Sequence, residues 1–256
     1  MRDVLRLVWF DLKQELRPPV WIMTEWLVFT VQLFIYGALI TQLVVSSKIA
    51  NYQEFYAIGF VVMMTFDVGS HTGRHFVEHA HEGLLPYWLS LPISRTKLFL
   101  AITLQGGTEL ALMLAVPLTV TLVMIGNLTV LSIFAAICAL FCLGFGVAGL
   151  MLGLSFIAFK SSDFYTAIVT GLSTVIIRFS TVLYPLIFLP VGYRSVAQLS
   201  PLTYGSDLIR LIIGFDPSLM IYNPAIAVAV LAALAVGTLG LGVFLLQRLV
   251  EGVKSG

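Results

Sequence analysis

The sequence predicts an all-α integral membrane protein with six transmembrane helices, an N-terminal amphipathic interfacial helix and an outer re-entrant helical hairpin. Three observations carry that prediction. The first is composition: 59% of the 256 residues are hydrophobic and 11% are charged, with a mean hydropathy of +1.00. A soluble domain carries about 45–50% apolar and about 25% charged residues. A chain this apolar cannot cover its surface with polar groups, which excludes an ordinary soluble enzyme and a disordered chain. The second is the recurrence of apolar runs of about 20 residues, the length that crosses a bilayer. The third is where the cations fall. With the N-terminus in the cytoplasm, Arg2, Arg6, Lys13, Arg17, Arg74, Arg95, Lys97, Lys160, Arg248 and Lys254 lie inside. Only Lys48, Arg194 and Arg210 lie outside, and Arg178 falls within a span. That is a positive-inside bias, and with both termini cytoplasmic it requires an even number of spans.

Residues 1–18 read as a helix lying in the interface. Val4, Leu5, Val8, Trp9, Leu12 and Leu16 recur at helical spacing, with Arg2, Arg6, Asp11, Lys13 and Glu15 interleaved, and Pro18-Pro19 ends the segment. A cleaved signal peptide fits poorly, because the apolar run begins too late and is too long. The first span runs from Val20 to about Val45. The second is apolar from about Phe55 to Phe66, then turns polar through Asp67, Ser70, His71 and Arg74. The third covers about Leu98 to Ile125 with Pro117 inside it, and Gly126-Asn127 marks a tight turn. The fourth runs from about Val130 to Phe159, where Gly144, Gly146, Gly149 and Gly153 supply small faces for close helix packing. The fifth runs from about Phe164 to Leu183 and the sixth from about Ala225 to Leu246. Residues 184–223 are apolar and proline-rich but cut into pieces too short to span: Leu186–Pro190, then an amphipathic stretch from Val196 to Ile213. They read as the outer hairpin, with Arg194 and Arg210 near the outer headgroups. No linker or internal repeat divides the chain, so residues 1–256 form a single transmembrane domain.

Catalytic machinery is largely missing. The sequence has no G-x-x-x-x-G-K-[ST] phosphate loop, no G-x-S-x-G elbow and no H-E-x-x-H. Lys+Arg 14 against Asp+Glu 13 gives a net charge of +1, so no basic field exists for nucleic acid. Cys138 and Cys142, one helical turn apart in an apolar run, do not suggest a disulfide scaffold. His71, His75 and His79 share one helix face beside Glu78 and Glu82. That spacing is physically reasonable for a metal, but it reads as a polar cytoplasmic extension of the second span, with no metal site. Charges inside spans are costly and are functional candidates. Glu25 can snorkel to the inner interface and Asp67 lies near the inner end of its span. Glu109 and Arg178 are deeper. They read as a buried ion pair, as substrate contacts, or as two groups in a wet cleft. Trp9, Trp21, Trp26, Tyr52, Tyr56, Tyr184, Tyr193, Tyr204 and Tyr222 fall mostly near interfaces, where aromatics anchor a bundle; a lining for a sugar or drug is the sharper reading.

Two stretches carry a resemblance. Glu82-Gly-Leu-Leu-Pro-Tyr-Trp-Leu-Ser-Leu-Pro92-Ile93-Ser94-Arg95 follows the second span. It resembles the E-G-T-x-E-x-L-L-x-x-P-[IV]-S-R segment of type-2 ABC exporter permeases, with Glu82, Gly83, Leu89, Pro92, Ile93, Ser94 and Arg95 matching. Leu84 and Pro86 replace the family's Thr and acid, which implies a helix interrupted or restarted at Pro86. Leu199-Ser-Pro201-Leu-Thr203-Tyr204-Gly-Ser-Asp207-Leu-Ile-Arg210 resembles the family's L-N-P-L-T-Y-x-x-D-x-x-R segment, with Ser200 in place of Asn. Tyr184-Pro185 and Leu189-Pro190 look like its proline-rich outer hairpin.

The resemblance implies a permease subunit, not itself an enzyme, in the cytoplasmic membrane with both termini inside. It implies a second permease copy, usually as a homodimer, and two separate ABC ATPase subunits that bind ATP and Mg; this chain holds no cofactor. Residues 75–95 would be the cytoplasmic coupling segment, with Glu78 joining the matched residues in contacting the ATPase. Tyr184, Pro185, Pro190, Pro201, Tyr204, Asp207 and Arg210 would form an outer gate, and Glu109 and Arg178 would lie on the translocation path. The expected substrate is amphipathic: a drug, a lipid or a lipid-linked glycan. A polysaccharide export channel is a second transporter reading. A non-transporting membrane anchor and an intramembrane enzyme are the alternatives of a different class.

Overall fold

A computed structural model describes residues 8–9, 13, 19–43, 52–90, 92–126, 128–158, 161–185, 188–220 and 223–254. The interfacial segment 1–18 lies outside them except for Val8, Trp9 and Lys13, as do Lys48, Lys160 and Tyr222 and the side chains of Trp21, Pro86 and Leu89. Val8 is buried against Ala101 and Leu104, while Trp9 is exposed.

Among the described residues every regular element is helical. The order is α1 (Pro19–Leu43), α2 (Tyr52–His81), α3 (Leu84–Ser90), α4 (Arg95–Ile125), α5 (Val130–Ile157), α6 (Ser162–Arg178), α7 (Val191–Ala197), α8 (Pro201–Ile213) and α9 (Pro224–Lys254). α2 does not stop where its sequence turns polar after Phe66. Val68, Thr72, Phe76 and Val77 keep one face buried while Asp67 and Arg74 on another are exposed, so the helical period survives the change in composition. Over 30 residues α2 spans about 45 Å. One of its ends carries α3, and the other meets α8 and the segment after α6.

α2 and α5 are the packing centre. α2 touches α1, α4, α5, α6 and α8; α5 touches α4, α8 and α9. In lipid, helix association rests on close van der Waals fit, because the tails are as apolar as leucine. The glycines of α5 supply that fit. A Cβ at Gly144 would sit 2.7 Å from Leu110, at Gly146 2.9 Å from Leu234, and at Gly149 2.8 Å from Thr238. Any side chain there would push α4 or α9 away.

The sharpest difference from the sequence prediction is the end of α6. The apolar run continues to Leu183, but the helix stops at Arg178 with Phe179 as its C-cap. A helix C-terminus leaves carbonyls without intrahelical donors, and here α2 and the segment around α8 supply them. Ser200 Oγ donates to the Ile176 carbonyl at 3.2 Å, and the Tyr52 hydroxyl donates to the Leu183 carbonyl at 2.6 Å. The Arg210 guanidinium donates to the carbonyls of Thr181 (2.8 Å), Val182 (2.6 Å) and, on α2, Phe55 (3.0 Å). Its Cζ lies 3.4 Å over the Phe55 ring, and its counter-charge Asp207 is 3.8 Å away. Asp207 also accepts from Thr181 Oγ1 at 3.0 Å. α2 can approach this knot because residue 59 is glycine: a Cβ would run into the Val182 carbonyl oxygen. The sequence reading puts Arg210 near the outer headgroups; in the structure Arg210 and Asp207 are both fully buried inside the protein, where irregular backbone takes its donors from protein side chains.

Four helical stretches are long and apolar enough to cross a membrane among the described residues: Ile22–Gln42, Arg95–Ile125, Val130–Ile157 and Pro224–Leu245. The chain is an all-helical, multi-pass membrane protein. α2 has the length but carries its polar half, and α6, at 17 residues, reaches only about 25 Å.

Candidate functional site

α1 and α6 both pack on α2 but make little contact with each other. The gap between them is a cleft along α2. Towards the α7 end it opens into a cavity of about 430 Å³, lined by side chains that include Tyr36, Tyr52, Tyr56, Ser173, Arg178 and Tyr184. Towards the α3 end a second cavity of about 160 Å³ is lined by Asp67, His71, Arg74, Tyr165, Thr166 and Thr170, among others. Ser173 borders both. The hydroxyls on α6 are turned back on their own helix: Thr166 donates to Ser162 O at 2.9 Å, and Ser173 and Thr174 donate to Thr170 O at 2.9 and 2.8 Å. Their donors are spent, and their lone pairs remain to face the groove. Tyr165 fixes the width at the polar end by donating from its hydroxyl to the Ser70 carbonyl at 2.9 Å.

The deep charges are not brought together. Glu109 is buried with its carboxylate 4.0 Å from His71 Nδ1. Arg178 is exposed on the wall of the larger cavity. The physical reason is the order of the helices: α6 packs on α2, not on α4, so α2 and its histidines stand between the two residues. His71, His75 and His79 run along α2 with ring centroids 6.4 and 6.1 Å apart. Among the described residues no group of three or more His, Cys, Asp and Glu side chains is arranged to hold a metal ion.

At the other end of α2, Gly83 makes the turn into α3 with φ +85°, a left-handed backbone that favours glycine. The helix restarts at Leu84, two residues before Pro86. Proline in a first turn removes an N–H that has no intrahelical partner there. Trp88 seats α3 by stacking on Phe76 at 6.0 Å and meeting His79 edge-on at 5.8 Å. Glu82, Leu84 and Tyr87 are left exposed. Pro92 is exposed and Ile93 and Arg95 are half-buried. Ser94 is the N-cap of α4 and accepts from the Lys97 N–H at 3.4 Å. Glu78 is half-buried. It accepts from Arg74 at 3.1 Å and from Ser162 Oγ at 3.3 Å, tying α2 to the start of α6.

The residues expected to form an outer gate divide in two. Tyr184 and Pro190 are exposed, and Tyr204, half-buried, donates to the Gln198 carbonyl at 3.0 Å. Pro185, Asp207 and Arg210 are interior and Pro201 is half-buried, opening α8 at its first turn. The aromatics also divide. Trp26 donates to Leu112 O at 3.2 Å and Tyr193 stacks on Phe179 at 5.5 Å, both structural uses. Tyr52, Tyr56 and Tyr184 line the cavity, as the sharper sequence reading requires, and Tyr36 joins them. Sequence reasoning missed Tyr36 and the α6 hydroxyls. The recurrence of Thr166, Thr170, Ser173 and Thr174 at helical spacing was the available signal.

No curated protein matches this chain. The chain matches the family described as ABC-2 type transporter over residues 2–213, and it belongs to that family as a transmembrane permease.

Proposed function

We propose that this chain is the permease subunit of an ATP-driven exporter, one domain over residues 1–256, and that its substrate moves along the α1–α2–α6 cleft. The carrying observation is the groove itself, in which one serine, Ser173, borders both a polar chamber and an aromatic one. A route for an amphipathic molecule needs both surfaces in succession. In this reading α1, α2, α4, α5, α6 and α9 all cross the cytoplasmic membrane. α2 and α6 can do so despite their polar faces because those faces line a cavity rather than lipid. α7 and α8 form the outer hairpin, which enters the membrane without crossing it. The coupling segment 75–95 is cytoplasmic and docks on an ABC ATPase subunit that holds ATP and Mg. Two permease copies, as a homodimer, and two ATPase subunits complete the transporter. ATP-driven closure then acts by differential contacts to inward-open and outward-open states.

Two measurements test this reading. In proteoliposomes with the ATPase subunit, Ser173→Trp fills the junction of the chambers. It is expected to abolish transport while the permease still assembles and basal ATP hydrolysis persists; full transport through the blocked groove overturns the route. The topology is tested separately. Cysteines at Arg194 and Ser218, in a background lacking Cys138 and Cys142, are expected to react with an impermeant thiol reagent added from outside. Labelling of either from the cytoplasm alone overturns the hairpin's placement.

A further inference from the structure

We infer that the larger chamber is a binding site for an acidic amphiphile with a ringed head group, its anion held by Arg178. The inference rests on the cleft being the substrate route. Arg178 is the sole charged side chain among the described residues that line this chamber. Among the described residues no carboxylate pairs with it. The position it was expected to complement, Glu109, is engaged with His71 across α2. An exposed guanidinium at the end of a helix has a plain structural use, since a cation there complements the helix dipole. That use explains a base at the last turn of α6; it does not explain four tyrosines in the same chamber. Tyr36, Tyr52, Tyr56 and Tyr184 come from α1, α2 and the segment after α6, so three separate parts of the chain converge with rings around the guanidinium's chamber. Tyrosine faces suit the apolar face of a sugar or an aromatic ring, with hydroxyls at the edge for polar substituents. Thr174 and Ser173 add hydroxyl oxygens.

Apart from Gln32, the remaining wall is apolar. Phe60 and Met63 lie one to three turns further along α2 than Tyr56 and Tyr52. Along α2 the lining therefore passes from tyrosines to an apolar surface. A molecule with its acidic, ringed head at Arg178 and its tail over Phe60 and Met63 matches that gradient. A cationic drug does not match it, because its head would meet a like charge, the guanidinium of Arg178. The guanidinium fork favours phosphate or carboxylate through paired N–H···O bonds.

The test uses the full-length permease in lipid nanodiscs and two photoreactive probes: an alkyl glucose 6-phosphate with benzophenone in its tail, and the same molecule without the phosphate. Labelled peptides are mapped by mass spectrometry, a readout independent of transport. The phosphorylated probe is expected to label peptides from α2 and residues 173–184 about tenfold more than the neutral one. Arg178→Gln should lower its labelling to the neutral level, Arg178→Lys should restore part of it, and Tyr36→Ala should weaken both probes. Arg178 and Tyr36 are exposed, so these variants are expected to fold. Glucose 6-phosphate without a tail should compete poorly. Equal labelling by the two probes, or an unchanged Arg178→Gln variant, overturns the acidic ligand while leaving the cleft as a route. Competition by glucose 6-phosphate as strong as by the amphiphile overturns the tail. No labelling at these peptides by either probe overturns the route itself.

Discussion

Arg210→Met is expected to cost about 3–5 kcal/mol of stability, the range for removing one partner of a buried charge pair, and to lower the yield of folded protein steeply. The guanidinium is fully buried and serves three carbonyls at once, Phe55, Thr181 and Val182. Methionine nearly fills the volume but donates nothing, so the cost comes from orphaned polar groups rather than from a cavity. Each buried acceptor left without its donor costs about 1–3 kcal/mol, and Asp207 loses its counter-charge. Arg210→Lys should recover only part of the loss, because an ammonium cannot reproduce the planar fork that reaches carbonyls on two separate segments. Arg210→Met combined with Asp207→Asn should lose less than the sum of the single changes, because the second removes a charge the first has stranded. Arg194→Met is the control. Arg194 makes one bond, from Nε to the Leu189 carbonyl at 3.1 Å, and should stay within about 0.5 kcal/mol of the parent. Thermal unfolding of the purified variants measures all four. Arg210→Met melting with the parent would show that the knot at the end of α6 is not holding the irregular segment.

That cluster also shows what the sequence could and could not convey. Four of the expected spans were legible because a long apolar run is a local property. α4 and α5 fall within a few residues of their predicted ends wherever those residues are described, while α9 starts at Pro224 as expected but runs past Leu246 to Lys254. The close-packing role of Gly144, Gly146 and Gly149 was legible for the same reason, since a small-residue face is visible in one helix alone. The end of α6 was not. Nothing in the run from Phe164 to Leu183 marks Arg178 as a terminus; the helix stops there because donors some 20 to 30 residues later, at Ser200 and Arg210, take up its carbonyls. Arg210 itself read as a headgroup cation because it lies in a segment cut into pieces too short to span. Only the fold brings Phe55, 155 positions away, beneath it. The Glu109–Arg178 pairing was argued from depth alone. Depth is readable from sequence, but which helix intervenes is not, and α2 intervenes. The cleft was half legible: Tyr52, Tyr56 and Tyr184 were singled out, while Tyr36 was not, and their convergence required the splay of α1 and α6 on α2.

Glu82→Arg and Gly83→Trp are expected to cut substrate-stimulated transport at least about tenfold while leaving the permease folded. The argument begins with what these residues do not do. Both are exposed, and a Cβ at Gly83 would meet nothing within 4 Å, so neither new side chain clashes directly with a neighbour. Glu82→Arg alters only the charge presented beside α3. Gly83→Trp adds bulk and forces a side chain onto a backbone at φ +85°, a strain of about 1–2 kcal/mol that the turn can relieve only by re-aiming α3 against α2. α3 has little freedom to absorb that, because Trp88 is stacked on Phe76 and held against His79. Among the described side chains, Trp88 seats this seven-residue helix on α2. α2 in turn lines both chambers of the cleft, so displacement of α3 is carried to the groove through one continuous helix. If the exposed edge of Glu82, Leu84 and Tyr87 is where the ATPase docks, both variants should keep basal ATP hydrolysis and lose its stimulation by substrate together with transport. Tyr87→Ala should show the same loss more weakly, since it removes contact area without reversing charge or re-aiming the helix. The measurement is paired transport and ATP hydrolysis in proteoliposomes, with thermal unfolding to establish that the variants remain folded. Full substrate-stimulated hydrolysis and transport in both would remove α3 from the coupling path and leave it a structural cap on the end of α2.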